Sequence, residues 1–194
     1  MADIIIENEV YFCELDAVAG DGDFGMSLSK GFKQIKTEWD TLEKENIGVF
    51  LKNCGMIITE YCGGASGPIW GSAFRSMAKY AQDREELNVL EIGELLSEAV
   101  EGIQKRGGAK LGDKTLLDAL IPAAEAIKNN YNKEFFESMK EGAKAAREGA
   151  EKTKEISASK GRASYVGDRS LNHPDAGAMA IGVIFNSIIK NYKY

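Results

Sequence analysis

The stretch LEIGELLSEAVEGIQKRG, residues 90–107, decides the fold class of this chain. Its apolar residues Ile92, Leu96, Ala99 and Ile103 step by 4, 3 and 4 positions, so they form one stripe along an α-helix that ends at Gly107-Gly108. The next stretch, KTLLDALIPAAEAIKNN (114–130), repeats the stripe through Leu116, Leu120, Ala123 and Ile127. Pro122 inside it predicts a kink, because proline has no N–H to bond one turn back and its ring crowds that turn. In EFFESMKEGAKAAREGAEKTKE (134–155), Phe136, Met139, Ala143, Ala146, Ala150 and Thr153 again step by 3 and 4. The alanine-rich second half leaves room for a neighbouring helix. DAGAMAIGVIFNSIIKNY (175–192) is apolar around most of its circumference and reads as a largely buried helix. Toward the N-terminus, helices are expected near 5–17, 25–38, 46–62 and 68–82. No run alternates apolar and polar residues as a half-buried strand does. The chain therefore reads as all-α, a bundle of about eight helices. No Pro-, Gly- or Ser-rich linker divides it, so residues 1–194 form one expected domain.

Composition narrows the function. Apolar content of 44% and charged content of 28% are those of a soluble globular protein. The net charge of −6 argues against a nucleic-acid partner, which selects basic surfaces. No window is long and apolar enough to span a membrane, and MADIIIENE lacks the basic start of a signal peptide. Cys13, Cys54 and Cys62 with a single histidine make no zinc pattern and read as reduced thiols. A cytoplasmic location is expected.

The polar, glycine-rich segments are not spread evenly. AGDGDFG, CGGASGP, RGGAKLGDKT and KGRASYVGDRSLNHPDAGA follow the first, third, fifth and seventh expected helices. In an up-and-down bundle, loops separated by an even number of helices lie at the same end. All four should therefore meet. The last is long for a compact domain, and such loops are functional or disordered.

The first of these loops holds Asp16, Asp21 and Asp23, with no basic residue before Lys30. Gly22 allows a tight turn between the last two. Three carboxylates in one small volume repel and raise each other's pKa values unless a hard cation such as Mg²⁺ binds them. The plainer alternative is a solvated acidic turn with Asp23 capping a helix. An EF-hand is excluded, since Met26 and Phe32 stand where its glycine and glutamate belong. GGASG (63–67) precedes a helix expected to open at Pro68, and small residues there would let an anion reach backbone N–H groups and Ser66. Gly25-Met26-Ser27 has the same character. GGAKLGDKT (107–115) resembles a phosphate-binding P-loop but has Asp113 before Lys114, and a helix rather than a strand precedes it. Lys114 and Thr115 could still approach phosphate. In the last loop, Arg162 and Arg169 suit phosphate contact, and His173 reads as structural. No nucleophile constellation is apparent, which phosphoryl transfer does not require.

Taken in order, GDGDFG, GGASGP, LGDKTLLDAL and GRASYVGDRSLNHPDAGA closely resemble the L subunits of bacterial dihydroxyacetone kinases, from about Glu14 to the C-terminus. The resemblance implies a barrel of eight antiparallel helices with ADP or ATP bound in the loops at one end. It implies two Mg²⁺ held by Asp16, Asp21 and Asp23. It carries nucleotide contacts onto Phe24, Gly25, Met26, Ser27, Ala65, Ser66, Gly107, Leu116, Arg162, Asp175, Ala176 and Gly177, and Thr115 is added as a phosphate neighbour. It further implies a K-type partner that holds dihydroxyacetone and an M-type partner that rephosphorylates ADP from a phosphoenolpyruvate-fed relay. A transcriptional regulator and a homodimer are among the expected assemblies; nucleic acid and membrane are not. Two departures stand out. Phe24 replaces the family's usual histidine, and only 15 residues precede Asp16, which predicts a short first helix. Alternatives are the nucleotide domain of a kinase with another acceptor, such as the fatty-acid kinases, and a regulatory subunit with weakened transfer.

Overall fold

A computed structural model describes residues 1–191. Among them there are α-helices and short 3₁₀ turns and no strand. The helices are α1 (Ala2–Glu7), α2 (Glu9–Ala17), α3 (Phe24–Thr37), α4 (Ile47–Tyr61), α5 (Ser66–Ala81), α6 (Val89–Gly107), α7 (Leu117–Asn129), α8 (Phe135–Lys152) and α9 (Ala176–Asn191). Each packs on its sequence neighbour, and α9 returns to α1 and α2, so the helices close into a ring. The all-α reading holds. If α1 and α2 count as one broken helix, eight helices form the ring.

The break at Asn8 corrects the expected continuous helix over 5–17. The Asn8 side-chain amide donates to the Ile4 carbonyl at 2.7 Å, so the side chain competes for the acceptor of the helical ladder. Both pieces are still anchored, because Ile5 and Phe12 are fully buried. The helix expected from Pro68 starts at Ser66, which leaves the proline in the first turn, where its missing donor costs nothing. The loop before α9 is not structureless: a 3₁₀ segment spans Arg162–Ser170, broken at Gly167.

The periodic stripes become the core. Ala99 and Ile103 of α6, Leu120, Ala123 and Ile127 of α7, and Met139, Ala143, Ala146 and Ala150 of α8 are buried. On the other side of the ring, Phe32 of α3 sets its ring edge-on to Trp70 and Phe74 of α5, both at 6.3 Å. Helix α6 starts with a capping box of Asn88 and Glu91. The three cysteines are free. Burial pushes the Cys54 and Cys62 thiols up to about 11, which leaves them inert.

Helix α7 runs through Pro122. The Asp118 carbonyl, to which Pro122 cannot donate, lies against Gly149 of α8, and a side chain there would overlap it. Gly149→Ala should therefore destabilise the protein by about 2 kcal/mol, since the overlap outweighs the ~1 kcal/mol that alanine normally adds in a helix. Gly182→Ala on α9 should instead be neutral or stabilising, because its added carbon would meet Ala150 at an ordinary 3.6 Å. Urea midpoints of the two variants check the contrast. Equal shifts would refute it.

Candidate functional site

The four loops do meet. Residues 18–23, 62–65, 108–116 and 153–175 converge at one end of the ring around a cavity of about 230 Å³. Its wall includes Asp16, Asp21, Asp23, Phe24, Ala65, Ser66, Thr115, Leu116, Arg162, Asp175, Ala176 and Gly177.

The acidic corner is built first by the backbone. Asp16 lies in the last turn of α2, and its carboxylate accepts the N–H groups of Gly22 at 2.9 Å and Phe24 at 3.4 Å. Gly22 has φ +75°, the left-handed turn that brings Asp21 and Asp23 back toward Asp16. One carboxylate oxygen from each of the three falls within 4.8 Å of the others. Asp23 occupies the N-cap position of α3, yet its side chain makes no capping bond. The acidic-turn alternative required that bond. Burial raises the pKa of Asp16, and the charges of Asp21 and Asp23 add to the rise against its two backbone donors.

One cation answers this charge. Arg162 reaches across from the long loop to Asp21 at 3.0 Å. Asp16 and Asp23 have no cationic partner among the described residues. An all-oxygen donor set carrying surplus negative charge fits a hard divalent cation, and Mg²⁺ above others where phosphate oxygens complete the shell.

Opposite the carboxylates, Gly63, Gly64, Ala65 and Ser66 turn into the start of α5. The free N–H groups and positive dipole end of that helix face the cavity, an arrangement that favours anions. Lys160, Gly161 and Ala163 join Arg162 along the long loop, while Ile69 and Trp70 form an apolar wall. Sequence reasoning missed these. Lys160 was findable two positions before Arg162, and Ile69 and Trp70 follow Ser66 at helical spacing.

Four sequence-predicted residues lie off the wall. Gly25 is buried where α3 crosses α2, against the Glu9 carbonyl. Met26 points outward and gives its N–H to the Cys13 sulfur at 3.2 Å. Ser27 is buried under the second loop, where its carbonyl accepts the Gly63 N–H at 3.2 Å. The reason is common to all three: α3 begins at Phe24, so they wind away from the cavity, Gly25 and Ser27 into helix packing and Met26 toward solvent. Gly107 lies behind the wall, against Ile69. Arg169 is exposed and off the cavity, and the His173 ring is exposed as well. Phe24 itself lines the cavity and packs on Phe12 at 6.2 Å between ring centres.

Lys114 lines the cavity too, and it also has a structural part. Only 3% exposed, its ammonium donates to the carbonyls of Thr153 and His173, each at 2.6 Å. It ties the third loop to both ends of the fourth. Asp118, also buried, accepts the N–H groups of Gly112 at 2.6 Å and Thr115 at 2.7 Å, which shapes the third loop from within. Asp175 caps α9 through the Ala178 N–H at 2.8 Å. Burial pushes its carboxyl up to about 6, against the pull of that N–H and of Lys114.

The DAK2 domain family matches residues 18–190. This chain belongs to the DAK2-domain family. Among its relatives is the "PEP-dependent dihydroxyacetone kinase 1, ADP-binding subunit DhaL" of Listeria innocua, 33% identical over 95% of this chain and 88% of that one. The Escherichia coli PEP-dependent dihydroxyacetone kinase subunit of the same name is 33% identical over 92% of this chain and 86% of its own. A third relative, the L-erythrulose 1-kinase of Mycolicibacterium smegmatis, is 30% identical, but this DAK2-domain chain spans only 33% of it. The crystal structure of the C. freundii dihydroxyacetone kinase superposes over 98% of this chain and 33% of that one with a TM-score of 0.80 at 24% identity. It confirms the DAK2 helical ring.

Proposed function

We propose that this chain is the nucleotide-bearing subunit of a dihydroxyacetone kinase. It holds ADP or ATP with Mg²⁺ at the loop end of the ring and passes the terminal phosphoryl group to a small hydroxyketone presented by a K-type subunit. The observation that carries this reading is the meeting of three carboxylates, within 4.8 Å of one another, with the anion-favouring start of α5 across one cavity. The match to separate ADP-binding subunits over most of their length supports ADP as a resident group. The phosphoenolpyruvate dependence for which these relatives are named supports recharging by an M-type partner in a cytoplasmic relay.

Bound Mg²⁺, two ions in this reading, would neutralise phosphate charge and polarise the transferring group. Asp16, Asp21 and Asp23 would hold it. Ser66 and the backbone of 63–65 orient the phosphates. Lys160 and Arg162 add positive charge where negative charge accumulates during transfer. Ile69, Trp70 and Leu116 shield the base side from water. Phe24 cannot hydrogen-bond phosphate. Anchored on Phe12, it closes the floor and leaves the transfer to its neighbours.

The test begins with the purified protein, denatured and its supernatant chromatographed. ADP should be released, and nucleotide binding should depend on Mg²⁺. Reconstitution with K-type and M-type subunits should give turnover with phosphoenolpyruvate. Phe24→His should leave the rate unchanged if Phe24 only packs on Phe12, and a higher rate would show that the missing imidazole limits transfer. Absence of both ADP and Mg-dependent binding would overturn the proposal. Turnover with added ATP alone would replace the relay by the free-nucleotide mode.

A further inference from the structure

The outer face of α5 carries a charge pattern that the nucleotide site does not use. Two shallow grooves flank this helix, one against α4 and one against α6, and they share Arg75 and Lys79. Lys52 borders the first groove, and Lys105 and Arg106 the second. No acidic residue lines either groove, in a chain whose net charge is −6. Lys105 pairs with Glu101 on its own helix at 2.9 Å. Lys52, Lys79 and Arg106 have no ion-pair partner among the described residues. Arg75 is held from below by the Thr59 hydroxyl at 2.8 Å and the Ser72 hydroxyl at 3.1 Å, so its guanidinium is set in place. Gly102 lets α6 come close to Ser72 and Ser76 of α5, which keeps the groove floor low between the two rows of cations.

The strip begins beside the nucleotide end. Ile69 and Trp70 of α5 wall the cavity, and Ser72, the first groove residue, follows within the same turn. Arg106 precedes Gly107, which packs on Ile69. From Ser72 to Gln82 the strip runs about 15 Å down the helix, at ~1.5 Å per residue.

These cations are exposed and spread over the neighbouring faces of α4, α5 and α6; they do not converge on a point. That geometry suits an acidic chain segment better than a small anion. A long polyanion such as nucleic acid would be repelled by the rest of the surface. The comparison with larger relatives indicates whose segment it is. In the erythrulose kinase, the part matching this chain is about one third of a single polypeptide, and covalent linkage holds the parts at high local concentration. A nucleotide subunit of the kind proposed above, like the separate subunits that this chain matches over most of their length, meets its partner without that linkage. It must gather its acceptor-bearing partner through surface forces, and electrostatic steering is the one that acts at a distance.

We infer that the basic strip of Lys52, Arg75, Lys79, Lys105 and Arg106 is the docking rail for an acidic segment of the hydroxyketone-bearing subunit. It steers that subunit's active site onto the loop end. This rests on the reading given under Proposed function. A rail of exposed charges raises the rate of association and leaves the chemical step alone.

The test is Lys79→Glu combined with Lys105→Glu, with Lys140→Glu on α8 as a control surface. Two measurements are made: Mg–ADP affinity by calorimetry, and the association rate with the separately purified dihydroxyacetone-binding subunit of the same organism, in low and moderate salt. The expected result is unchanged Mg–ADP affinity and an association rate lower by about tenfold in low salt. Added salt should slow the wild type toward the variant and leave the variant nearly flat. The control should associate like the wild type. If Mg–ADP binds normally but the double variant associates as fast as the control, the rail is overturned and the nucleotide reading stands. If the wild type binds no Mg–ADP, the functional reading fails, and the rail with it.

Discussion

If the chain binds Mg–ADP as proposed, Asp16→Asn should abolish the resulting stabilisation while leaving the ligand-free protein at least as stable as the wild type. The two effects have opposite physical origins. Without a cation, Asp16 is a partly buried carboxylate facing two others, and its pKa is raised above the ordinary value. A raised carboxylate pKa contributes stability that is complete below the unfolded-state pKa and lost as pH climbs through the folded one. At neutral pH the ionised form therefore costs stability. Asparagine removes that cost, and its side-chain oxygen can still accept the Gly22 and Phe24 N–H groups. With the cation, the sign reverses. At a ligand concentration near 100 times Kd, the wild type gains about 2.7 kcal/mol, or roughly 5–10 °C for a chain of this length. If losing one charged ligand weakens binding about 100-fold, the same ligand concentration gives only ~0.4 kcal/mol. Thermal melts with and without Mg–ADP read both effects. A variant that keeps the full ligand-induced shift would remove Asp16 from the metal site.

The second large effect belongs to Lys114, whose ammonium joins two loops of the site. Lys114→Ala leaves the Thr153 and His173 carbonyls without their donor and takes the positive charge away from Asp175 and Asp118. Orphaned buried groups of this kind cost about 3 kcal/mol, which corresponds to a midpoint lower by roughly 6–12 °C. Nucleotide affinity should fall too, because Leu116 and Asp175–Gly177 are set by the two loops that the ammonium joins. Lys114 also has φ +60°, a conformation that strains every residue with a side chain. Lys114→Gly should therefore be less damaging than Lys114→Ala by about 1 kcal/mol. If alanine and glycine were equally harmless, the ammonium would not be holding the loops together.

Much of this was legible in the sequence, for reasons that can be named. Stripes such as Ile92, Leu96, Ala99 and Ile103 report burial through local periodicity, and the structure buries the corresponding faces. Counting helices between the glycine-rich loops was enough to predict that those loops meet, because parity in an up-and-down ring depends only on order. What escaped depends on side chains acting outside the helical period. Asn8 breaks the first helix by bonding one turn back. Asp23 stands where a cap belongs but does not cap. The glycine-rich run before Lys114 drew attention to phosphate and gave no sign of the two carbonyls its ammonium holds. Those partners lie 39 and 59 positions away. Gly25, Met26 and Ser27 seemed to extend the first loop, but the helix had already begun at Phe24.

The ring closes where α9 meets α1 and α2, so its seam joins the two ends of the chain. The cavity straddles that seam, with Asp16, Asp21 and Asp23 on one side and Asp175, Ala176 and Gly177 on the other. Such pairings are remote in sequence and carry a large loop-closure entropy. A ligand gripped from both sides acts as a clasp. Its release and the parting of the terminal helices are then coupled, and a resident nucleotide would hold that junction shut.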